Sequence, residues 1–310
     1  NPSEEHVEAG VAAAREIAAD LLVAVGGGSP MDCAKGINFV VTNGGAIADY
    51  EGFGHTTVPL LPAIGVPTTA GTGSEAQSYA LIADAATHRK MACGAPDARF
   101  RAVILDPSLT DSLPRDVAAA AGLDAVSHAV ESYVTRRRGA ESSRLAATAW
   151  RLLTDHLPTA LERPGDHTLW GTLQIAALLA GAAIERSMLG AAHACANPLT
   201  QCFDVVHGVA VALMLPHVVR FNAASVGELY AELLAPDDPA ADTATAGGRL
   251  AGRLEELRDG AGLPATLGQL GIAEPDLEQL AERASRQWTL NFNPREASRD
   301  DLLQLYRHAL

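Results

Sequence analysis

The chain has 310 residues, of which 48% are hydrophobic and 19% charged, and its formal net charge is −14. This length predicts two domains, and the composition is that of a globular enzyme and excludes a disordered scaffold. The negative charge argues against nucleic acid or an anionic membrane as a partner, because both require basic surfaces.

Cysteine usage and hydropathy predict the compartment. The four cysteines form neither a CxxC pair nor a zinc-knuckle spacing, which is typical of free thiols in a reducing cytosol. The longest apolar run, residues 173–184, is shorter than a bilayer span, and no signal-peptide pattern is seen. We therefore expect a cytoplasmic protein without a membrane partner.

The first predicted elements are a helix over residues 4–19 and a buried strand over residues 21–25. A parallel nucleotide-binding sheet normally opens with a strand, so we expect further chain before Asn1. After Gly26-Gly27-Gly28, a second helix is predicted, with Ser29 as its N-cap and Asp32 completing a capping box.

A second strand is predicted over residues 60–66, and it runs into a loop of threonines and glycines, Thr68–Glu75. Within this loop, Thr72 and Glu75 have the spacing of another capping box. A hairpin over residues 79–91 and a strand over residues 102–105 complete the predicted α/β region.

Helical periodicity dominates from Pro114 onward, and no alternating strand pattern recurs. We expect a boundary near residue 112, with an α/β domain over residues 1–112 and an all-α domain over residues 113–310. The predicted helices cover residues 117–135, 142–156, 168–184, the region of 189, 207–219, 247–257, 277–284 and 300–308.

The two glycine-rich loops follow strands and precede helix N-termini. Such turns let backbone amides approach a phosphate, and the helix dipole adds to the attraction. A single glycine cluster is often only a tight turn. Two at successive strand ends would face one crevice of a parallel sheet, which favours a dinucleotide site.

Asp124 and His128 are four residues apart on a predicted apolar helix, so their side chains share one face. Burying both requires partners, and an ordinary Asp–His hydrogen bond would suffice. His193 and His207 lie in similarly apolar segments. One aspartate and three histidines make a plausible ligand set for Fe²⁺ or Zn²⁺.

At this point the sequence resembles the iron-containing (group III) alcohol dehydrogenases, and the resemblance runs in order over nearly the whole chain. The motifs that carry it are Gly26-Gly27-Gly28-Ser29-Pro30-x-Asp32, Pro67-Thr68-Thr69-Ala70-Gly71-Thr72-Gly73-Ser74-Glu75, Gly122-x-Asp124-x-x-x-His128-x-x-Glu131, His193, His207-Gly208, Leu215-Pro216-His217-Val218 and Asn293-Pro294-Arg295.

The resemblance implies a fold shared with dehydroquinate synthases, in which an α/β dinucleotide domain and a helical domain enclose a metal in their cleft. It implies that Asp124, His128, His193 and His207 bind a divalent metal, with Fe²⁺ expected ahead of Zn²⁺. It places around NAD or NADP the residues Gly27, Gly28, Ser29, Asp32, Thr68, Thr69, Thr72, Leu81 and Lys90.

Family members carry about two βα units before the point that matches Asn1. The parallel sheet is therefore expected to lack its leading strands, and the determinant of NAD or NADP choice is expected in that preceding segment.

The implied activity is metal-assisted, reversible hydride transfer between a small alcohol or aldehyde and NAD(P), by a homodimer or higher homo-oligomer. One alternative is a dehydroquinate-synthase-like cyclase, which must bind a phosphorylated, carboxylated substrate. No cluster of lysine and arginine suited to that substrate lies near the ligand segments. A catalytically inactive relative is the other alternative.

Asn197 departs from the family pattern, in which many members carry a second histidine four residues after the one matching His193. We interpret Asn197 as a substrate-facing residue one turn beyond His193, and therefore as a candidate catalytic-site residue. An amide cannot act as a proton relay. The alternative is that Asn197 caps its helix before Pro198.

The three tryptophans, Trp150, Trp170 and Trp288, are predicted to be core residues.

Overall fold

The computed structural model describes residues 2–84, 89–238 and 240–310, and its first third is an α/β region. Its described residues form two α-helices and six short strands: α1 Glu4–Glu16, β1 Leu22–Gly26, α2 Gly28–Asn43, β2 Gly52–Phe53, β3 Ala63–Pro67, β4 Tyr79–Ala83, β5 Lys90–Gly94 and β6 Ala102–Val103.

The strands form two small sheets. β1, β3 and β6 are parallel, and Gly26 pairs with Pro67. The carboxyl ends of β1 and β3 therefore lie side by side, and both glycine-rich loops leave the same edge, as the sequence predicted. In the second sheet, β4 and β5 form the predicted antiparallel hairpin, and β2 pairs with β5. Residues 85–88 of the hairpin lie outside the described residues.

β1 is not the buried strand that its apolar run predicted. Ala24 faces the core, but Val23 and Val25 are each 56% exposed. Among the described residues, β1 pairs only with β3 and forms an edge of its sheet, so part of its surface stays uncovered. Hydrophobicity alone gives no information about which strands have neighbours on both sides.

The capping box predicted from Ser29 to Asp32 is wrong. α2 begins at Gly28, with Gly27 as its N-cap and no side-chain cap. The Asp32 carboxylate instead accepts hydrogen bonds from Ser74 Oγ and, at 3.2 Å, from Leu81 N–H. These tertiary partners outcompete the local cap.

The capping box predicted from Thr72 to Glu75 is also wrong. The loop ends in a single 3₁₀ turn, Ser74–Ala76, which begins after Gly73 at φ +64° and has no capping side chain. Glu75 is buried, with 4% of its surface exposed.

The rest of the described chain, up to residue 310, contains eight α-helices and no strand. Each predicted helix is present. Their bounds are α3 Arg115–Val134, α4 Ala140–Glu162, α5 His167–Arg186, α6 Ala191–Phe203, α7 His207–Leu234, α8 Ala246–Ala261, α9 Leu277–Ser285 and α10 Arg299–Ala309. They share the largest apolar cluster of the described residues, in which α3 packs against α4, α5 and α7 and which includes Trp150 and Trp170. This confirms an α/β region followed by a helical region.

Two of these helices are long and apolar enough to cross a membrane by length and composition: α5, with mean hydropathy 1.3, and α7, with 1.5. This is weak evidence for a membrane span, because 50% and 56% of the respective apolar windows are buried inside the protein. Both helices also run longer than their predicted segments. Core helices of a helical domain meet the same criteria.

Candidate active site

Three helices bring the four predicted metal ligands together. Asp124 and His128 lie one turn apart on α3, His193 lies in the first turn of α6, and His207 is the first residue of α7. Asp124, His128 and His193 are at most 4% exposed, whereas the His207 side chain is 27% exposed where it borders the cleft.

The three imidazoles converge on one carboxylate oxygen. Asp124 Oδ1 lies 3.3 Å from His128 Nε2, 3.5 Å from His193 Nε2 and 3.8 Å from His207 Nε2. Potential ligand atoms of Asp124, His128 and His193 all lie within 4.8 Å of one another. His207 borders this group, with its ring centroid 5.3 Å from that of His193.

This arrangement fits a divalent metal ion. Asp124 Oδ1 and His193 Nε2 are buried and have no hydrogen-bond partner. Buried polar atoms of this kind normally have a partner, and an ion between them would provide one. One carboxylate and three imidazoles suit Fe²⁺ and Zn²⁺.

The charges of the group also favour a cation. Burial alone would raise the pKa of Asp124, but His128, His193 and His207 together hold it well below its usual value. Burial lowers the pKa of His128 to about 4, and burial followed by Lys90 lowers the pKa of His207. Both rings are thus neutral at pH 7, as metal ligation requires.

Glu131 completes the group, and the sequence assigned it no role. Its Oε2 lies 2.6 Å from His193 Nδ1, and its Oε1 accepts a hydrogen bond of 2.7 Å from Ala192 N–H. This contact directs the Nε2 lone pair of His193 towards Asp124. Against burial, the nearby carboxylates of Asp124 and Glu131 raise the pKa of His193 to about 9, so metal binding at this ring would displace a proton. The sequence feature that could have indicated this role is the position of Glu131 three residues after His128, which puts both side chains on the same face of α3.

The metal candidates lie in a cleft of about 430 Å³ that also receives both glycine-rich loops. Most of the predicted cofactor residues line it: Gly28, Ser29, Asp32, Thr69, Thr72, Leu81 and Lys90. Gly27 and Thr68 are not among the lining residues. Gly27 caps α2, and Thr68 N–H donates to Gly26 O at 3.0 Å.

The two loops touch, and glycine makes this contact feasible. A Cβ added to Gly28 would lie 2.7 Å from Thr72 Cγ2, and one added to Gly27 would lie 3.3 Å from Thr69 Cγ2. The glycines therefore serve loop packing as well as backbone access. The N-terminus of α2 opens onto the cleft beside Thr69 and Thr72, which is a geometry suited to phosphate.

A buried lysine fixes this wall of the cleft. Lys35 Nζ donates to Ser74 O at 2.7 Å, to Ser74 Oγ at 3.0 Å and to Tyr79 O at 2.8 Å. It also lies 3.7 Å from Asp32 Oδ1. No role was predicted for Lys35, although Lys35 and Lys90 are the two lysines in an arginine-rich chain.

Lys90 lines the cleft that contains both the metal candidates and the glycine-rich loops. Burial lowers the pKa of Lys90, while Asp124 and Asp32 oppose that effect. The charge of its ammonium group is therefore felt by a metal candidate, Asp124, and by a cofactor candidate, Asp32.

Asn197 faces the cleft, as its spacing from His193 predicted, and its Nδ2 donates to Gln287 Oε1 at 3.0 Å. The alternative that it caps its helix is wrong, because α6 continues through Pro198 to Phe203.

The core prediction for Trp288 is also wrong: this side chain is 41% exposed and lines the cleft. Its position depends on the 3₁₀ turn Trp288–Phe292, which lacks a clear periodic signal.

Two family models match the chain in sequence. The model described as iron-containing alcohol dehydrogenase matches residues 1–107, and that of the family's C-terminal domain matches residues 118–310. The chain belongs to the iron-containing alcohol dehydrogenase family.

Other members of the family are similar over the whole chain. The NAD-dependent methanol dehydrogenase of Bacillus methanolicus is 33% identical over 100% of this chain and 82% of its own. A solved 1,3-propanediol oxidoreductase has 33% identity and a TM-score of 0.96, covering 100% of this chain and 82% of that one. Sulfoacetaldehyde reductase from Bifidobacterium kashiwanohense in complex with NAD⁺ has 28% identity and a TM-score of 0.88, covering 100% and 82%.

The predictions of the family, the fold and the enzyme class are thereby confirmed. This iron-containing alcohol dehydrogenase is an NAD(P)-dependent oxidoreductase that interconverts alcohols and aldehydes.

Proposed function

We propose that the chain oxidises small, uncharged alcohols and reduces the matching aldehydes with NAD(H), using Asp124, His128, His193 and His207 to hold one divalent ion. Fe²⁺ is expected ahead of Zn²⁺, in keeping with the family. The observation that carries the proposal is the convergence of three Nε2 atoms, at 3.3, 3.5 and 3.8 Å, on Asp124 Oδ1.

When bound, the ion would act as a Lewis acid towards the substrate oxygen and favour its alkoxide form. Once the ion has displaced the proton of His193, one carboxylate and three neutral imidazoles would offset a single unit of its charge, which leaves the centre positive. Glu131 would hold the His193 ring in place, and the tight packing of α3, α6 and α7 would fix the ligand positions.

The cofactor is proposed to lie along the wall formed by the two glycine-rich loops. The N-terminus of α2, with Thr69 and Thr72 opposite, suits the pyrophosphate. Lys90 would then lie between the nucleotide and the metal centre. The methanol dehydrogenase is named as NAD-dependent, and the sulfoacetaldehyde reductase was solved in complex with NAD⁺, which supports NAD for this chain.

Apolar side chains in the cleft support a small, uncharged substrate. Val206 is 62% exposed and Val117 43% exposed, and both face the cleft together with Met188 and Leu189. These groups can cover the alkyl part of an alcohol and exclude water from the reacting carbon.

Asn197 and Gln287 provide the polar part of the same region. Because an amide has no pKa near neutrality, Asn197 cannot take up the alcohol proton, which would leave through water or the nicotinamide ribose. We propose that Asn197 tunes substrate choice.

The cyclase alternative lacks support in the cleft. Within the described lining, Lys90 is the one lysine or arginine. A phosphorylated, carboxylated substrate would need several such cations.

The test is a panel of alcohols and aldehydes assayed with NAD(H) and NADP(H), after Fe²⁺ or Zn²⁺ has been restored anaerobically. We expect turnover of short alcohols that requires metal and is faster with NAD. Equal turnover after complete chelation of metal would contradict the proposal.

A cytoplasmic location and a homo-oligomeric state remain predictions from the sequence. Cell fractionation and light scattering of the purified protein test them directly.

A further inference from the structure

The segment Asn293-Pro294-Arg295 is a family motif that has no part in the lining of the cleft. It follows the 3₁₀ turn Trp288–Phe292 and lies against the first turn of α6. Asn293 is 1% exposed, and its Oδ1 accepts a hydrogen bond of 3.1 Å from Ala191 N–H. Ala191 is two residues before His193.

The first turn of α6 is capped by side chains from outside the helix. Its N-cap, Gly190, offers no side chain, so Asn293 Oδ1 accepts from Ala191 N–H and Glu131 Oε1 accepts from Ala192 N–H. A Cβ on Gly190 would lie 2.9 Å from Asn293 Oδ1 and 3.0 Å from Glu131 Oε1. Glycine therefore leaves the space through which both acceptors reach the helix.

Asn293 is itself held by α7. Its amide group forms a reciprocal pair with Asn222, with hydrogen bonds of 3.0 and 2.8 Å, and its Nδ2 also donates to Arg295 O at 2.7 Å. Arg295 Nη1 donates to Phe221 O at 2.7 Å, and its guanidinium carbon lies 3.9 Å from the centroid of the Phe221 ring. These hydrogen bonds form a network that connects α7 to the first turn of α6. Glu131 of α3 binds the same turn through Ala192 N–H.

We propose that Gly190, Asn222, Asn293 and Arg295, here called the amide clamp, position His193 for metal binding. This inference rests on the proposed metal role of His193. The clamp fixes the first helical turn, and Glu131 fixes the ring that this turn carries. All four clamp residues are positioning residues, since none of them is among the ligand candidates.

The expected effect follows from the tolerance of metal coordination. Ligand distances in a metal site are constrained to about 0.2 Å, so a small movement of the first turn of α6 displaces His193 Nε2 enough to weaken binding. Removal of partners that orient a metal-binding histidine typically costs 10- to 100-fold in affinity.

The test uses Co²⁺ as the metal and the full chain, at a temperature at which each variant is folded. Asn293→Ala removes the clamp amide, Gly190→Ala displaces both acceptors without deleting either, and Asn222→Leu leaves the bond to Ala191 intact. Asn43→Ala is the control, because the Asn43 amide oxygen likewise accepts hydrogen bonds, here from two backbone N–H groups (Thr57 at 2.8 Å and Val58 at 2.9 Å), but at the end of α2 in the α/β region. The Co²⁺ affinity is measured by chelator competition, together with the visible ligand-field spectrum.

We expect Asn293→Ala and Gly190→Ala to bind Co²⁺ roughly 10- to 100-fold more weakly with an altered spectrum. Asn222→Leu should show a smaller loss, and it serves as the test if Asn293→Ala does not fold. Asn43→Ala should match the wild type in both readouts.

A wild-type Co²⁺ affinity and spectrum in folded Asn293→Ala and Gly190→Ala would overturn the clamp, since a purely structural role would lower only thermal stability. His193→Ala separates this failure from that of the proposed function. If His193→Ala itself keeps Co²⁺ with an unchanged spectrum, the metal role of His193 is wrong, and the clamp's role falls with it.

Discussion

The two walls of the cleft are built in different ways. The α/β wall presents loop backbone at the edge of a three-stranded sheet, held by buried polar contacts of Lys35 and Asp32. The helical wall presents side chains from α3, α6 and α7, embedded in the largest apolar cluster of the described chain. The first wall suits a ligand recognised by backbone shape, and the second suits chemistry that depends on fixed side-chain positions. Deleting a side chain should therefore reduce activity most when the side chain belongs to the helical wall. Adding volume should reduce cofactor binding most in the α/β wall, which is called the loop wall below.

The largest effect should follow the loss of a ligand candidate from the helical wall. His193→Ala should lower kcat by about 10³-fold, because a metal centre supplies several kcal/mol of charge stabilisation in the transition state. Kinetics at saturating NAD, metal analysis and circular dichroism check this.

The matched control is His167→Ala, which removes an exposed histidine 2.9 Å from Asp111 on the surface. It should retain full activity. Full activity of His193→Ala would show that His193 and the proposed metal centre are not needed for catalysis.

Next in size is a pH effect on the stability of the loop wall. Burial raises the pKa of Glu75 from 4.5 to about 7, and the opposing charge of Lys35 is weaker than this effect. Between these two pKa values the unfolded chain loses the proton while the folded chain keeps it. Stability is therefore full below pH 4.5 and falls by up to about 3 kcal/mol as the pH rises to 7.

Denaturant midpoints across this pH range should show the fall in wild type and a flatter curve in Glu75→Gln. Glu51→Gln is the control of opposite sign, because a hydrogen bond to Arg89 lowers the pKa of Glu51. Parallel curves for Glu75→Gln and wild type would rule out a buried, proton-holding Glu75.

Gly28→Ala tests the loop wall by adding volume. The new Cβ would lie 2.7 Å from Thr72 Cγ2 and push the two loops apart. We expect the KM for NAD to rise roughly tenfold, with a smaller change in kcat, because the misplaced groups bind the cofactor and do not react.

Gly139→Ala is the control for this change, since a Cβ there meets nothing within 4 Å. If Gly28→Ala raised the KM no more than Gly139→Ala did, contact between the loops would be irrelevant to the cofactor.

The smallest expected effect is at Asn197, in the polar part of the cleft. Asn197→His adds a group that titrates near neutrality, so a new ionisation should appear in the pH profile of alcohol oxidation, with a few-fold change in substrate ranking. Gln201→His is the control, because Gln201 lies one turn further along α6 and is not among the residues that line the cleft. An unchanged pH profile and ranking would make Asn197 structural.

The helical wall was largely predictable from the sequence. Its helices lie in long apolar segments that were predicted to be helical, and the four-residue spacing of Asp124 and His128 already placed both on one face. The family resemblance then added His193 and His207 to the same centre. These features are local or belong to the family pattern, so they needed no knowledge of tertiary contacts.

The sequence predictions that are wrong concern residues whose positions depend on tertiary contacts. Asp32 and Glu75 have capping-box spacing, yet Ser74 and Leu81 bind Asp32, and Glu75 is buried. The exposure of Val23 depends on which strands flank β1, and that of Trp288 on the cleft beside it. None of these partners can be identified from sequence spacing.

The most direct test of the metal assignment is anomalous diffraction at the iron edge, from crystals of the protein reconstituted anaerobically with Fe²⁺. The account predicts one peak within roughly 2.0–2.2 Å of Asp124 Oδ1 and of the Nε2 atoms of His128, His193 and His207. A peak elsewhere, or no peak at this centre in protein that turns over alcohol, would contradict it.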